Sequence, residues 1–371
     1  MFGKKKNDIT AEERYYMATQ WQLMVRKFRR HKLAIIGFIV LVVLYLVAIF
    51  CEFFATYDPF ERNTSYMLVP PQRIHWITDE GFPLRPYVYG LKLEEDPETW
   101  RKYYTEDTSQ KYYIRFFVKG APYKLWGLIP GDLHLMGVEE GGTLFLFGTD
   151  QSGRDLYSRT LYGIRISLTV GLVGVIFTFI LGCVIGGISG YYGGKIDMFI
   201  QRIIEFIMSI PSIPLWMSLA AAVPQDWPVV RVYFIITIIL SLVGWCGLAR
   251  VVRGKFLQLR ESDFVMAAKI AGASDAHIIR KHLLPGFLSY LIVNLTLAIP
   301  NMILGETSLS FLGIGLRPPA ISLGVLLEDA QNLQAISMQP WLLIPGLFII
   351  LIVLAFNFMG DGIRDAADPY K

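Results

Sequence analysis

The run from Ile166 to Ile188, ISLTVGLVGVIFTFILGCVIGGI, contains no acidic or basic residue. A helix rises about 1.5 Å per residue and needs about 20 apolar residues to cross the hydrocarbon of a bilayer. This run is long enough. It also carries Gly171, Gly174, Gly182, Gly186 and Gly187, and glycines in a membrane let neighbouring helices approach closely. It reads as a span inside a packed bundle.

Outward from it, five further apolar runs have spanning length: 33–53, 203–223 (interrupted by Pro211 and Pro214), 232–252, 287–304 and 341–359. Prolines are tolerated where neighbouring helices satisfy the freed backbone groups. The first run follows a long polar stretch, so it is expected to remain as an uncleaved signal-anchor. The fold class is all-α integral membrane: one amino-terminal helix and a core of five. The expected boundaries are a tail at 1–32, a first span at 33–53, an extracytoplasmic insert at 54–148, a core at 149–360 and a second tail at 361–371.

Orientation follows from Lys and Arg near the span ends. The amino-terminal tail holds Lys4, Lys5, Lys6, Arg14, Arg26, Lys27, Arg29, Arg30 and Lys32. The segment 250–285 adds Arg250, Arg253, Lys255, Arg260, Lys269, Arg280 and Lys281, whereas the opposite loops 224–231 and 313–340 hold only Arg231 and Arg317. Both termini are therefore expected in the cytoplasm. The charged insert does not count against this, because long loops translocate largely regardless of charge.

Composition agrees: 53% of the 371 residues are hydrophobic and 18% charged, against about 25% charged in soluble domains. A net charge of +4 is too small to argue for a nucleic-acid partner. Cys51, Cys183 and Cys246 have no metal-ligand or disulfide spacing and read as apolar fillers. Nor do His31, His75, His134, His277 and His282 form a metal motif. SGYYGGKI at 189–196 lacks the first glycine of a phosphate loop and has Ile196 where Ser or Thr must reach magnesium. DQSGRD, around Ser152, is no nucleophile elbow. No catalytic residue and no cofactor is assigned to this chain.

The insert is rich in Tyr, Trp and Pro, including Pro70, Pro71, Pro83, Pro86, Pro97, Pro122 and Pro130. It has strand-like stretches such as Tyr112–Lys119, and its acidic run Glu94, Glu95, Asp96 and Glu98 reads as a loop or helix start. It is either a passive cover or a docking surface for a soluble partner. After it, RDLYSRTLYGIR at 154–165 groups Leu156, Tyr157, Leu161 and Ile164 on one face. That predicts an interfacial helix whose Arg154, Arg159 and Arg165 snorkel to water.

The cytoplasmic segment 262–285 is the most informative. Ser262 and Asp263 start a helix with Phe264, Ala267, Ala268 and Ala271 along one side, and Gly272 breaks it. Ser274 and Asp275 cap a second helix over 277–284, which Pro285 ends. Such a pair under a bundle is either an ordinary amphipathic loop or a surface for another protein to grip. Glu205, at the start of the third span, reads as an interface charge. Glu306, placed just beyond the fifth span, is either a carboxylate bonded to a neighbouring span or a pathway group that meets a peptide amino terminus.

MAAKIAGASDAHIIRKHLLP at 266–285 resembles the cytoplasmic coupling motif of bacterial ATP-binding-cassette importer permeases. Ala267, Ala268, Gly272, Leu284 and Pro285 match that pattern, with Ala273 and Asp275 between them. Met266 replaces the usual Glu, and His282 a frequent Ile. FGTDQSGRDLYSRTLYGIRISL (147–168), GYYGGKIDMFIQRIIEFIMSIPSIPL (190–215), GETSLSFLGIGLRPP (305–319), GDGIRDAADP (360–369) and RKFRRHKLAIIGFIVL (26–41) are similar to the C-type dipeptide and oligopeptide branch.

The resemblance implies a multi-pass protein of a bacterial or archaeal inner membrane, set in lipid and paired with a second, similar permease. It implies two cytoplasmic ATPase subunits that use ATP and magnesium and dock on the coupling helices, and an external solute-binding protein. Peptides are the implied substrates; nickel chelates, glutathione and oligosaccharides occur in the same branch. A self-sufficient channel or carrier is the rival reading, and would need paired intramembrane carboxylates or histidines that the spans lack. A scaffold is another, and would leave the coupling segment without a role.

Overall fold

The structure is a computed structural model that describes residues 20–76, 85–98, 100, 102–224 and 226–367. Lys4, Lys5, Lys6, Arg14, Pro83 and residues 368–371 lie outside it. The chain opens with α1 (Gln20–Phe28), α2 (Lys32–Ile49) and the short α3 (Cys51–Phe54). The insert is a three-stranded antiparallel sheet in the order β1 (Tyr87–Glu95), β2 (Lys102–Leu125), β3 (Ile129–Val138). Its register pairs Tyr87 with Tyr113 and Ile114 with Val138. Glu94 and Glu95 close β1, so the acidic run begins in a strand rather than a loop or helix.

The core follows: α4 (Leu156–Tyr192), α5 (Gly194–Ser209), α6 (Ser212–Ala221), α7 (Val229–Leu259), α8 (Asp263–Ile270), α9 (Asp275–Ile278), α10 (Leu288–Phe311), α11 (Leu323–Glu328), α12 (Leu333–Met338) and α13 (Ile344–Ala367). Among the described residues, 5 helical runs are long and apolar enough to cross a membrane, and α5 with α6, bent by 85°, supplies the sixth span. The bend lies at Ile210 and Pro211; Pro214, in the first turn of α6, sits where its missing N–H costs little.

Several boundaries differ from the sequence expectation, each for a physical reason. The stretch 154–165 is not a separate interfacial helix, because α4 runs unbroken for 37 residues from Leu156. Asp155 caps it by accepting from the Ser158 N–H at 2.8 Å, and burial pushes this carboxyl up to about 6. Its arginines do not snorkel either. Arg154 and Arg159 lie 2.7 and 3.5 Å from buried Asp150, and Arg165 pairs with Glu52. Pro285 does not end the second coupling helix. The chain stays helical through a π turn at Ile279–Leu283 and a 3-10 turn at Leu284–Phe287, where proline occupies an N-terminal position with no N–H to lose.

Glu306 lies inside α10, not beyond it. The loop 313–340 folds back inward, with residues 320–326 buried. The stretch from 361 is no free tail, since α13 continues to Ala367 and packs Gly362 against Ala34 and Phe28.

Helix α1, the end of α13 and the segment 262–285 share one end of the bundle: Ser289 Oγ lies 3.5 Å from Met24 Sδ, across from α1 to the start of α10, and Gly362 of α13 packs against Phe28 of α1. The insert sits at the opposite end. There Arg165 reaches Glu52 Oε1 at 2.7 Å and the Ala48 carbonyl at 2.7 Å, and Trp126 donates to the Ile49 carbonyl at 3.0 Å.

Helix packing in lipid gains nothing from the hydrophobic effect and depends on close contact. Along α4, Gly182, Gly186 and Gly190 form a ridge at four-residue spacing against Leu248, Ala249 and Arg253 of α7. A Cβ at Gly186 would collide with the Ala249 carbonyl oxygen, and one at Gly190 would lie 2.7 Å from that of Arg253. Gly171 and Gly174 leave similar room for Ile303 and Met302 of α10. Helix α7 is thereby held at near-backbone distance from α4, and α10 packs its side chains into the space that the glycines leave.

Gly186→Leu is therefore expected to lower stability by about 3 kcal/mol, the upper end of overpacking. Gly254→Leu, where a Cβ meets nothing within 4 Å, is expected to be neutral. Thermal unfolding of both variants in mild detergent checks this; equal midpoints would contradict the packing.

Candidate functional site

The segment 262–285 is a two-sided platform. Its inner side is Val265, Ile278, Leu283 and Phe287, buried against Val252 and Phe256 of α7 and Leu291 of α10. Ala268 and Ala273 are half-buried on the same cluster, with Leu284. On the outer side, Phe264, Met266 and Ile270 are exposed, Ile270 to 85%, with Ala267 and Ala271 beside them. Gly272 turns the chain at φ +80, and a Cβ there would meet nothing within 4 Å. Pro285 is exposed, and half-buried His282 lies 6.3 Å ring to ring from Phe264 and 5.8 Å from His277.

Polar fastenings hold the platform to the bundle. Tyr191, at the end of α4, donates to Asp275 at 2.6 Å, and the Lys269 ammonium lies 5.5 Å over its ring. Beside it, Arg253 of α7 bonds Asp197 of α5 at 2.5 Å, and Ser189 donates to the same carboxylate at 2.5 Å. Arg260 reaches back to the Gly190 carbonyl at 3.4 Å. The Tyr191–Asp275 bond thus ties the platform to α4, and the bonds to Asp197 join α4, α5 and α7 to one another beside it. Sequence reading singles out Asp275 but not Tyr191, Asp197 or Arg253, because the Tyr191–Asp275 and Arg253–Asp197 pairs each span more than 50 residues and carry no local signal.

A cleft of about 250 Å³ opens between α4, α7 and α10, lined by Thr178, Gly244, Gly247, Asn294, Ala298 and Asn301 among others. Asn294 and Asn301 lie seven residues apart, hence on one face of α10. Their amide nitrogens bond back to the Tyr290 and Leu297 carbonyls at 2.9 and 3.3 Å. The buried Thr178 hydroxyl has no hydrogen-bond partner among the described residues. Polar side chains in a span are costly against lipid and belong in a water-filled route or against a protein partner. The seven-residue spacing is present in the sequence, but two asparagines at that spacing carry no signal until α4 and α7 stand opposite them.

Glu306 is fully buried. Ser310 and Ser322 each donate to its Oε1 at 2.7 Å, and Ser167 to Oε2 at 3.3 Å. Ser322 also caps α11 and Ser167 accepts from the Leu323 N–H, so the carboxylate ties α10, α4 and the inward-folded segment. Of the cysteines, Cys51 and Cys246 are buried and Cys183 half-buried.

The six-span bundle, the platform on one face and the polar cleft within it define a solute permease. A family model described as binding-protein-dependent transport system inner membrane component matches residues 182–370. A second, described as the N-terminal TM domain of oligopeptide transport permease C, matches residues 19–71. A dipeptide transport system permease protein, DppC of Lactococcus lactis subsp. cremoris, is 33% identical over 100% of this chain and 96% of its own length. The oligopeptide transport system permease protein OppC of Haemophilus influenzae is 44% identical over 60% of this chain and 70% of that protein. OppC of Bacillus subtilis is 29% identical over 94% and 89%. The chain belongs to the family of inner-membrane components of binding-protein-dependent transport systems. It is a multi-pass inner-membrane permease.

Glu306→Leu leaves three buried hydroxyls without their acceptor, at about 1–3 kcal/mol for each orphaned group. The expected outcome is a clear loss of thermal stability in detergent, with Glu306→Gln, which keeps an acceptor oxygen, close to the parent. Equal midpoints for the two variants would remove the clamp.

Proposed function

We propose that this chain forms half of the translocation path of an ATP-driven importer of oligopeptides or dipeptides. Met266–Pro285 is the surface on which a cytoplasmic ATP-binding subunit docks. A second, homologous permease supplies the other half, two ATP-binding subunits consume ATP and magnesium, and an extracytoplasmic solute-binding protein delivers the peptide. No hydrolytic step is assigned to this chain. The face with the termini is cytoplasmic, as its concentration of Lys and Arg supports, and the insert is outside. The peptide class rests on the names of the relatives.

The observation that carries the docking role is the platform itself. Exposed Phe264, Met266 and Ile270 sit on a base packed against α7 and α10 and bonded to α4 through Asp275, and α4, α5 and α7 are themselves joined at Asp197. Closure of a docked subunit then moves α4, α5 and α7 together and alternates the side from which the Asn294–Asn301 face is reached, a two-state change biased by the partner. Met266 supplies an apolar contact where the resembling motif has a carboxylate. Glu306 acts as a clamp that keeps α11 in place rather than as a group that meets the peptide.

Ile270→Asp touches nothing that stabilises the fold, yet it is expected to abolish uptake of labelled di- and tripeptides by cells carrying the whole transporter. Gly272→Trp is expected to do the same, and immunoblots of both variants should show normal membrane levels. Undiminished uptake would remove the docking assignment. Absence of peptide uptake even with the parent chain would instead remove the substrate class.

A further inference from the structure

The insert ends in an apolar tip that the transport reading does not use. At the β2–β3 turn, Trp126, Leu128 and Ile129 are 52%, 82% and 63% exposed, and Phe117 on β2 is 64% exposed. Soluble surfaces rarely gather such side chains without a partner. Phe117 and Trp126 both adopt φ near +54, a left-handed conformation that bulky residues seldom take. The fold holds these rings in place against local preference.

The height of the tip is set by its contacts. The Trp126 indole donates to the carbonyl of Ile49, the last residue of α2, at 3.0 Å. Helix α2 has 18 residues, a length of about 27 Å at about 1.5 Å per residue. The hydrocarbon is about 30 Å thick, so Ile49 lies at its edge. Phe117 sits 6.2 Å ring to ring from Phe53 on α3. The apolar tip therefore continues the exposed apolar face of α2, where Leu46 and Ile49, and Phe50 just after the helix, are open.

Nearby charge is compatible with a bilayer surface. The Arg165 guanidinium lies 4.7 Å from the Trp126 ring centre and is neutralised by Glu52, and Lys124 is exposed and long enough to snorkel.

We propose that this tip is a lipid contact. Phe117, Trp126, Leu128 and Ile129 rest in the headgroup boundary of the leaflet on the insert face, the depth that tryptophan favours. The insert is thereby fixed at two points, the Glu52–Arg165 pair on the bundle and the hairpin tip on the bilayer. A neighbouring permease or a soluble partner covering the same side chains is the competing occupant.

The test uses the full chain with its partner permease in phosphatidylethanolamine/phosphatidylglycerol vesicles. Leu128→Cys carries a bimane label, and the unsubstituted chain measures background labelling of the native cysteines. Thr108→Cys, on the exposed far part of β2, is the aqueous control. The label at 128 is expected to be quenched several-fold more by lipids brominated near the glycerol end of the acyl chain than by aqueous iodide, with the reverse order at 108. Iodide quenching at 128 would place the tip in water, and shielding from both quenchers would place it under protein; either overturns the proposal. In a second measurement, Trp126→Phe should lower the fraction of tryptophan emission that the brominated lipids remove. An unchanged fraction would also overturn it.

Discussion

The near-contact of α4 with α7 is the constraint on which the rest of the structure depends. Gly182, Gly186 and Gly190 leave no side chain on that ridge of α4, so Leu248 packs into it and the Ala249 and Arg253 backbone comes close. In lipid the gain is dispersion and geometry, because apolar surface is equally well solvated by acyl chains. The geometry matters most at the lower end of the ridge. Where Gly190 meets Arg253, the α7 guanidinium comes within reach of Asp197, and the next residue of α4, Tyr191, reaches Asp275. Without the ridge, the platform would hang from α7 and α10 alone.

A second regularity is that buried charge toward the insert end of the bundle is answered inside the protein. Glu52 faces Arg165, Asp150 faces Arg154 and Arg159, and Glu306 faces three serines. An unanswered charge in a low-dielectric site costs several kcal/mol, so each pair or cluster has in effect one arrangement. These are also the points where elements distant in sequence are joined: the first helix and the insert to α4, the loop before α4 to its first turns, and the inward-folded segment to α10. They make the insert face a fixed scaffold, while the platform on the opposite face stays open for a partner.

How much of this was legible in the sequence depended on the range of the signal. Spans follow from length and apolarity, and the break at Gly272 and the cap at Ser274 follow from local backbone chemistry. The kink of the third span at Pro211 was marked, but its size was not, since the angle depends on neighbours. Local signals failed where proline or charge had a tertiary answer. Pro285 fell in a 3-10 turn that continues the helix, and Arg159 and Arg165 found Asp150 and Glu52 instead of water. Of the candidate site, the outer face of the platform was readable residue by residue. Its fastenings were not, because Tyr191, Asp197 and Arg253 acquire meaning only when α4, α5 and α7 stand side by side.

The account stands on the outer face of the platform being buried by a nucleotide-hydrolysing subunit in the assembled transporter. A photo-crosslinking amino acid at position 270, irradiated in native membranes, tests this most directly. The account predicts a crosslinked product joining this chain to an ATP-binding subunit, in a yield that changes with bound nucleotide. An intact complex in which position 270 crosslinks only to lipid, or to nothing, would contradict it.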